Sequence, residues 1–329
     1  MTTEMRALVH EAFGEPEEVL HVGTVPLPEP GPGEVRVRLL LSPIHNHDLW
    51  TVRGTYGVKP QLPARAGTEA VGVVDALGEG VETLSVGQRV ATGGTFGAWA
   101  EYFVAPAAGL IPVPADLSDE TAAQLVSMPF SAIALLETLR LEPGQWLVQN
   151  AANGAVGRLL AQLAAARGVH VVGLVRRAEG VAELAAQGID GVVATDDPAW
   201  REQVAALTGG EPIAVGVDSV GGASSGEVLS LLAENGRLVV FGAMASPIMN
   251  LASGDVIFKN ITVSGFWGLK VSAAMPAAER GALLGELVTR IHEGALTLPV
   301  SAIYGFDDIA RASLANFEPG RVGKVLLRP

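Results

Sequence analysis

Two clusters of side chains in this sequence could do chemistry. The first is the turn Ala151–Gly157, AANGAVG, set between the apolar runs Trp146–Val148 and His170–Val175. A tight turn of small residues that opens a helix leaves unpaired backbone N–H groups and the positive end of a helix dipole for a dianion such as pyrophosphate. Asn153, Gly154, Ala155, Val156 and Gly157 would make that contact, and Gly157 would also let the helix pack close to the strands. The turn is not a full G-x-G-x-x-G, and on its own it suits an ordinary strand–helix connection as well. Arg176 and Arg177 follow the second run, where an NAD enzyme would carry an acid for the ribose hydroxyls. Guanidinium groups suit an extra phosphate there through bidentate charge-assisted bonds, so the expected cofactor is NADPH. The second cluster is Pro43–Asp48, PIHNHD. Either His45, His47 and Asp48 relay a proton to a bound carbonyl, or Asp48 caps the following turn while the histidines bond backbone or ribose. Asn46, among them, is a candidate contact to the nicotinamide ribose.

These residues need elements to hold them. Val156, Leu159, Leu160 and Leu163 fall at helical spacing, with Arg158, Gln162 and Arg167 elsewhere, which predicts a helix over Ala155–Arg167. Strand, turn, helix and strand over Trp146–Val175 form the first βαβ unit of a dinucleotide-binding fold. Further strands are expected at Gly191–Ala194, Ala214–Asp218, Arg237–Phe241 and Ile261–Gly265. Helices are expected at Val181–Gln187, Pro198–Leu207, Gly226–Leu232 and Ser253–Phe258. This alternation predicts a doubly wound parallel sheet. Before Pro114 the pattern differs, with short strands at Met5–His10, Val19–Val25, Val35–Leu41, Gly67–Leu77, Val86–Ala91 and Ala98–Val104 between Gly and Pro turns. Val35, Val37, Leu39 and Leu41 alternate with Arg36 and Arg38, as in a half-buried strand. That half reads as an antiparallel, barrel-like domain. A helix opens near Ser118–Gln124, where Asp119 and Glu120 suit the N-terminal dipole. A late helix near Ala277–Glu293 and the strand Gly323–Leu327 return most simply to the first domain. The expected division is residues 1–117 with 266–329, and 118–265.

Composition removes several classes. The chain has 329 residues, enough for two domains, and a formal charge of −13, which disfavours non-specific binding to nucleic acid or membrane. There is no cysteine, so disulfides, thiolate nucleophiles and Cys-ligated zinc are excluded. No apolar run reaches the ~18 residues of a membrane span. The N-terminal MTTEMRALVHEAF has no signal core, which sets the cytoplasm as the expected location.

GPGEVRVRL at Gly31–Leu39, GTEAVGVVDALGEGV at Gly67–Val81, VGQRV at Val86–Val90, AWAEYFV at Ala98–Val104 and GKVLL at Gly323–Leu327 join Trp146–Val175 in one pattern. Over essentially its whole length the chain resembles the medium-chain dehydrogenase/reductase superfamily. The resemblance implies an α/β protein, a Rossmann doubly wound parallel sheet plus a discontinuous GroES-like β-barrel domain. The zinc alcohol dehydrogenases of that superfamily place Cys, His and Cys at positions that correspond here to His45, Thr68 and Met128, with Glu69 beside Thr68. One imidazole does not make a three-ligand site, and the cysteine-rich structural loop is absent, so no metal ligands are expected.

The zinc-free branch includes quinone and enone reductases and 2-enoyl thioester reductases, and several stretches are similar to the last. QNAANGAVG stands at their phosphate loop and VRR at Val175–Arg177 where they carry an arginine for the NADP phosphate. FGAM at Phe241–Met244, IFK at Ile257–Lys259 and GFW at Gly265–Trp267 follow their order. RGTYGVKPQLP at Arg53–Pro63 resembles the segment with their catalytic tyrosine, which maps onto Tyr56. A phenol keeps its proton at neutral pH and can donate it to an enolate-like intermediate. The resemblance makes Phe241, Gly242, Ala243 and Met244, with Phe266, Trp267 and Gly268, walls for nicotinamide; strand-end packing is the other reading. Lys324 reaches the cofactor or is a surface charge. Two departures stand near the nicotinamide: Met128 precedes Pro129 where the family has Asn, and IHNHD replaces its INPSD.

The implied enzyme is an NADPH-dependent, zinc-independent oxidoreductase that passes hydride to the C=C bond of an α,β-unsaturated carbonyl, first a 2-enoyl thioester. A quinone or enone is the alternative acceptor. An NADPH-binding protein with little turnover is an alternative of another class, and a zinc alcohol dehydrogenase is the last. Its partner is a small-molecule substrate, and the resemblance implies a homodimer through the edge strand near Ile261–Gly265.

Overall fold

Alternation along Glu34–Pro43 sets the architecture of the first half. Val35, Val37, Leu39 and Leu41 are buried and Arg36 and Arg38 point the other way, so this strand can sit in a sheet with one face on a core. The computed structural model describes residues 3–329. Sixteen strands are named in chain order: β1 Glu4–His10, β2 His21–Pro26, β3 Glu34–Pro43, β4 Ala64–Arg65, β5 Glu69–Leu77, β6 Arg89–Gly93, β7 Tyr102–Pro106, β8 Ile111–Pro112, β9 Trp146–Gln149, β10 His170–Val175, β11 Val192–Ala194, β12 Ile213–Asp218, β13 Arg237–Val240, β14 Thr262–Gly265, β15 Val300–Gly305 and β16 Lys324–Arg328.

One unit contains the chain up to Ser127 together with Leu298–Pro329. Its main sheet has the order β15-β16-β3-β5-β6-β8, with β7 also on β3, and a smaller sheet runs β2-β1-β4. Trp99, Phe103 and Phe306 are among its largest fully buried side chains. The other unit is Met128–Thr297. Its six strands are all parallel in the order β11-β10-β9-β12-β13-β14, the doubly wound arrangement expected. Leu147, Val148, Val172, Leu174, Val215 and Leu238 are buried because helices cover both faces of such a sheet. Every strand and helix foreseen between Trp146 and Gly265 is present, with ends shifted by a few residues.

Segments 118–127 and 266–297 fall in the opposite unit from the one the sequence suggested, and packing explains both. Ala122 and Ala123 pack with Leu41, Val71 and Leu326 of the barrel. The helix Ala277–His292 is held to the parallel-sheet unit by Arg167, which bonds both Glu286 and Glu137. Pro43–Asp48 also differs from expectation: it is no simple loop, since His45 stands at the N-terminus of a helix Asn46–Arg53 that ends at Gly54 with φ 75°. Among the described residues no helix is long and apolar enough to cross a membrane.

Candidate active site

The barrel unit gathers the histidine cluster. The His45 N–H donates to Asp48 Oδ2 at 2.9 Å, which fixes the start of the helix and puts His47 one turn below Thr51. The helix sits against the start of β5. There Thr68 Oγ1 donates to Asp48 Oδ1 at 2.7 Å and contacts His47 Nε2 at 2.8 Å. The Thr68 hydroxyl spends its only proton on Asp48, so the His47 Nε2–H must be the donor to Thr68. Burial lowers the His47 imidazole below its ordinary range, although Asp48 opposes this, and the ring is neutral at pH 7. His47 also stacks on Tyr56, with ring centroids 5.6 Å apart, and on His45 at 4.9 Å.

His45 does not join this chain. Its Nε2 lies 2.6 Å from Glu69 Oε2, and Glu69 Oε1 accepts the backbone N–H groups of Val126 and Ser127. The short contact has ion-pair geometry, yet both side chains are buried. Burial pushes Glu69 up to about 8 against the pull of its two N–H donors, and it drives His45 well below its usual value. We read the pair as neutral at pH 7, with the proton on Glu69, because the loss of solvation outweighs every other influence on each partner. His45 Nδ1 then carries the ring proton and has no hydrogen-bond partner among the described residues. Lys324 Nζ, nearby, donates to the Ile44 carbonyl at 3.3 Å, and Asn46 Oδ1 accepts from Asn316 Nδ2 at 2.8 Å.

The other predicted residues meet at the carboxyl edge of the parallel sheet, where open α/β sheets bind ligands. The turn after β9 has Ala151 at φ 48° and leads into the helix Ala155–Ala166. No side chain caps this helix at Gly154, so its first N–H groups remain for an anion. A Cβ on Gly157 would lie 2.6 Å from the Ala151 carbonyl, so only glycine allows helix and turn to close up. Asn153 is exposed, Gly154, Ala155 and Val156 are half-buried, and Gln149 ties strand to helix by donating to the Gly157 carbonyl. Arg176 and Arg177 are exposed just past β10, and Arg176 makes no side-chain bond among the described residues. At the end of β13 Phe241 stacks on the buried Phe266 at 5.8 Å, while Ala243, Met244 and Trp267 are exposed and Gly242 and Gly268 half-buried. Asp218 is wholly buried and accepts from Asn150 Nδ2, the N–H groups of Val220 and Gly221, and Ser225 Oγ. It shapes the loop between β12 and the next helix.

Of the two readings of this cluster, the cap is present, since Asp48 accepts from the His45 N–H; Thr68 links Asp48 to His47, and the His45 side chain pairs with Glu69. Thr68 and Glu69 are the residues that sequence reasoning undervalued. Their adjacency in Gly67-Thr68-Glu69 was visible, but their bonds reach back about twenty residues, to His47 and His45.

With this geometry in hand, the chain can be placed. Residues 31–115 match the alcohol dehydrogenase GroES-like domain, and residues 155–282 match the zinc-binding dehydrogenase family. The chain belongs to the medium-chain dehydrogenase/reductase superfamily. It is 33% identical to an enoyl-[acyl-carrier-protein] reductase, mitochondrial, of Xenopus tropicalis, over 93% of this chain and 90% of that one. Among solved structures, a quinone oxidoreductase of Pseudomonas syringae is 28% identical with TM-score 0.89, covering 99% of this chain and 100% of the other. The Escherichia coli quinone oxidoreductase complexed with NADPH is 26% identical with TM-score 0.89, covering 98% and 100%.

A family described as zinc-binding raises the question of zinc, and the donor set does not fit it. His45 Nε2 is committed to Glu69, the Thr68 hydroxyl to Asp48 and His47, and the third position is the Met128 thioether. Catalytic zinc takes three protein donors drawn from Cys, His and carboxylate. Among the described residues no group of three such side chains could hold a metal ion.

Proposed function

We propose that the protein is an NADPH-dependent, zinc-independent reductase of activated double bonds, with a 2-enoyl thioester as first candidate acceptor and a quinone or enone as second. One observation carries the reading: Glu69 occupies His45, the histidine at the zinc-ligand position, while a proton-bearing chain, Tyr56 stacked on His47 with Thr68 and Asp48 behind it, stands beside it. The donors of such a site do not suit a Lewis acid that would polarise an alcohol, but they can deliver a proton to an enolate. The relatives support the reading, since full-length matches are named enoyl-acyl carrier protein reductase and quinone oxidoreductase.

The turn Asn153–Gly157 with the uncapped helix behind it would hold the pyrophosphate, and the unpaired, exposed Arg176 with Arg177 would hold the extra phosphate. Phe241–Met244 and Phe266–Gly268 would wall the nicotinamide, with Asn46 and Lys324 as further contacts. Bound there, NADPH supplies a hydride to the β-carbon of the acceptor. The chain's own residues orient the acceptor, exclude water and hold the proton that reaches the α-carbon from Tyr56, which His47 positions by stacking. We extend the proposal to a homodimer joined along β14. That strand ends the sheet, its four residues are exposed, and the apolar Ile257 and Phe258 beside it are exposed as well.

The test is NADPH oxidation with crotonyl-CoA, a simple enone and a quinone side by side, on protein freed of metal by chelation. Turnover of at least one acceptor without added metal supports the reading. Activity that appears only with stoichiometric zinc overturns it.

A further inference from the structure

The barrel unit holds a cavity of about 270 Å³, lined among others by Val52, Phe96, His10, Asp48, Thr68 and Arg65. Asp48 and Thr68 belong to the proton-bearing chain already described, so this cavity opens on that chain. Its walls are mainly apolar, and Arg65 is its one cation.

Among the half-buried arginines of the described residues, Arg65 and Arg280 make no side-chain hydrogen bond or ion pair, and of the two Arg65 lines this cavity. Arg36, Arg53, Arg89 and Arg167 each meet a carboxylate. Arg237 and Arg321 donate to backbone carbonyls. The Arg65 guanidinium has no hydrogen bond or ion pair among the described residues. It is nonetheless held in place: its backbone pairs with Val9 in the small sheet, and its side chain lies against the turn at Gly97, where an added Cβ would meet Arg65 Nε at 3.2 Å. Partial burial lowers the guanidinium from its ordinary value, with no carboxylate near enough to oppose this. With no acceptor among the described residues, its donors are open to an anion that enters the cavity. Asp48, the acid in the same wall, accepts from His45 and Thr68 and makes no ion pair with Arg65.

We propose that Arg65 makes this cavity an anion subsite, so that the acceptor carries a carboxylate or phosphate that docks on Arg65 while its unsaturated carbonyl faces the Thr68–His47 edge. This rests on the reductase reading above. The cavity is below the ~300–1,000 Å³ of pockets for drug-sized ligands, so it takes a short acidic segment rather than a long acyl chain. A guanidinium fork matches either oxyanion.

The test begins with binding, which needs no turnover. Levulinate and its methyl ester are titrated calorimetrically into the full-length wild-type protein and into Arg65→Gln and Arg65→Lys. Wild type is expected to bind the acid at least about tenfold more tightly than the ester, the effect of one charge-assisted hydrogen bond. Arg65→Gln brings that ratio towards one, and Arg65→Lys, which keeps the charge, retains part of it, separating loss of the cation from loss of the fold. Competition by inorganic phosphate against acetate then says which oxyanion the subsite prefers. Equal affinity of acid and ester for wild type, no binding of either, or an unchanged ratio in Arg65→Gln overturns the proposal. NADPH oxidation with acetylacrylate and its methyl ester is read separately. Failure to reduce either counts against the reductase reading, while the titrations still decide the subsite.

Discussion

Replacing Glu69 by Gln separates the two proton arrangements open to the buried His45–Glu69 pair. The amide keeps an oxygen to accept from Val126 and Ser127, and it offers an N–H to His45 where a protonated acid offers an O–H. The substitution is therefore nearly silent if Glu69 is neutral. Burial raises Glu69 from 4.5 to about 8. For an acid raised in the folded state, the stabilising contribution is complete below the unfolded value and is lost as pH rises through the folded value. The unfolded histidine is half protonated at pH 6.5, but His45 is depressed by burial in wild type and variant alike, so its contribution drops out of their difference. At about 1.4 kcal/mol per pH unit, flattening near pH 8, wild type should lose roughly 1.5–2 kcal/mol between pH 6.5 and 8 that Glu69→Gln keeps. Urea unfolding at both pH values, followed by tryptophan fluorescence and circular dichroism, gives the difference. Two results would refute the neutral pair. One is a difference that does not change with pH. The other is a variant already destabilised by about 3–5 kcal/mol at pH 6.5, the cost of stripping one partner from a buried ion pair.

Other consequences are as direct. Tyr56→Phe should lower the reduction rate on the preferred acceptor by about 10²–10⁴-fold, the usual worth of a positioned proton donor, with the NADPH dissociation constant held within about twofold by fluorescence titration. Arg176→Ala should weaken NADPH binding by about 10–100-fold and leave NADH binding close to wild type; equal weakening of both would remove the phosphate role. Asp218→Ala strips the acceptor from four donors at once, and unfolding should show a loss of at least about 3 kcal/mol, whereas an effect under 1 kcal/mol would mean the loop holds its shape without it.

The parallel-sheet unit was legible because its signals are local. The apolar strands, the small-residue turn and the helical spacing of Leu159, Leu160 and Leu163 all lie within thirty residues, and the position of Arg176 follows from where β10 ends. Other elements gave weaker signals. The helix Ser127–Leu139 buries Phe130, Ala132, Ile133, Ala134, Leu135 and Leu136, so it is apolar on nearly every side and shows no period. The helix Asn46–Arg53 has histidine at its N-terminus rather than one of the favoured capping residues, and it read as a loop. In the site, residue types were visible but pairings were not. His45 looked like a partner of Asp48, and only the approach of β5 shows that Glu69 takes it. Nothing in the sequence singles out Arg65; the cavity around it does.

Hydride transfer is best followed with one isotope. NADPH carrying two deuterons at nicotinamide C4 is incubated with the protein and crotonyl-CoA, or with the enone of the side-by-side assay if that is preferred, and the product is examined by NMR and mass spectrometry. One deuterium is expected on the β-carbon of a saturated product, with a solvent-derived proton on the α-carbon. Deuterium on the carbonyl carbon of an alcohol, or a saturated product without deuterium, contradicts the mechanism.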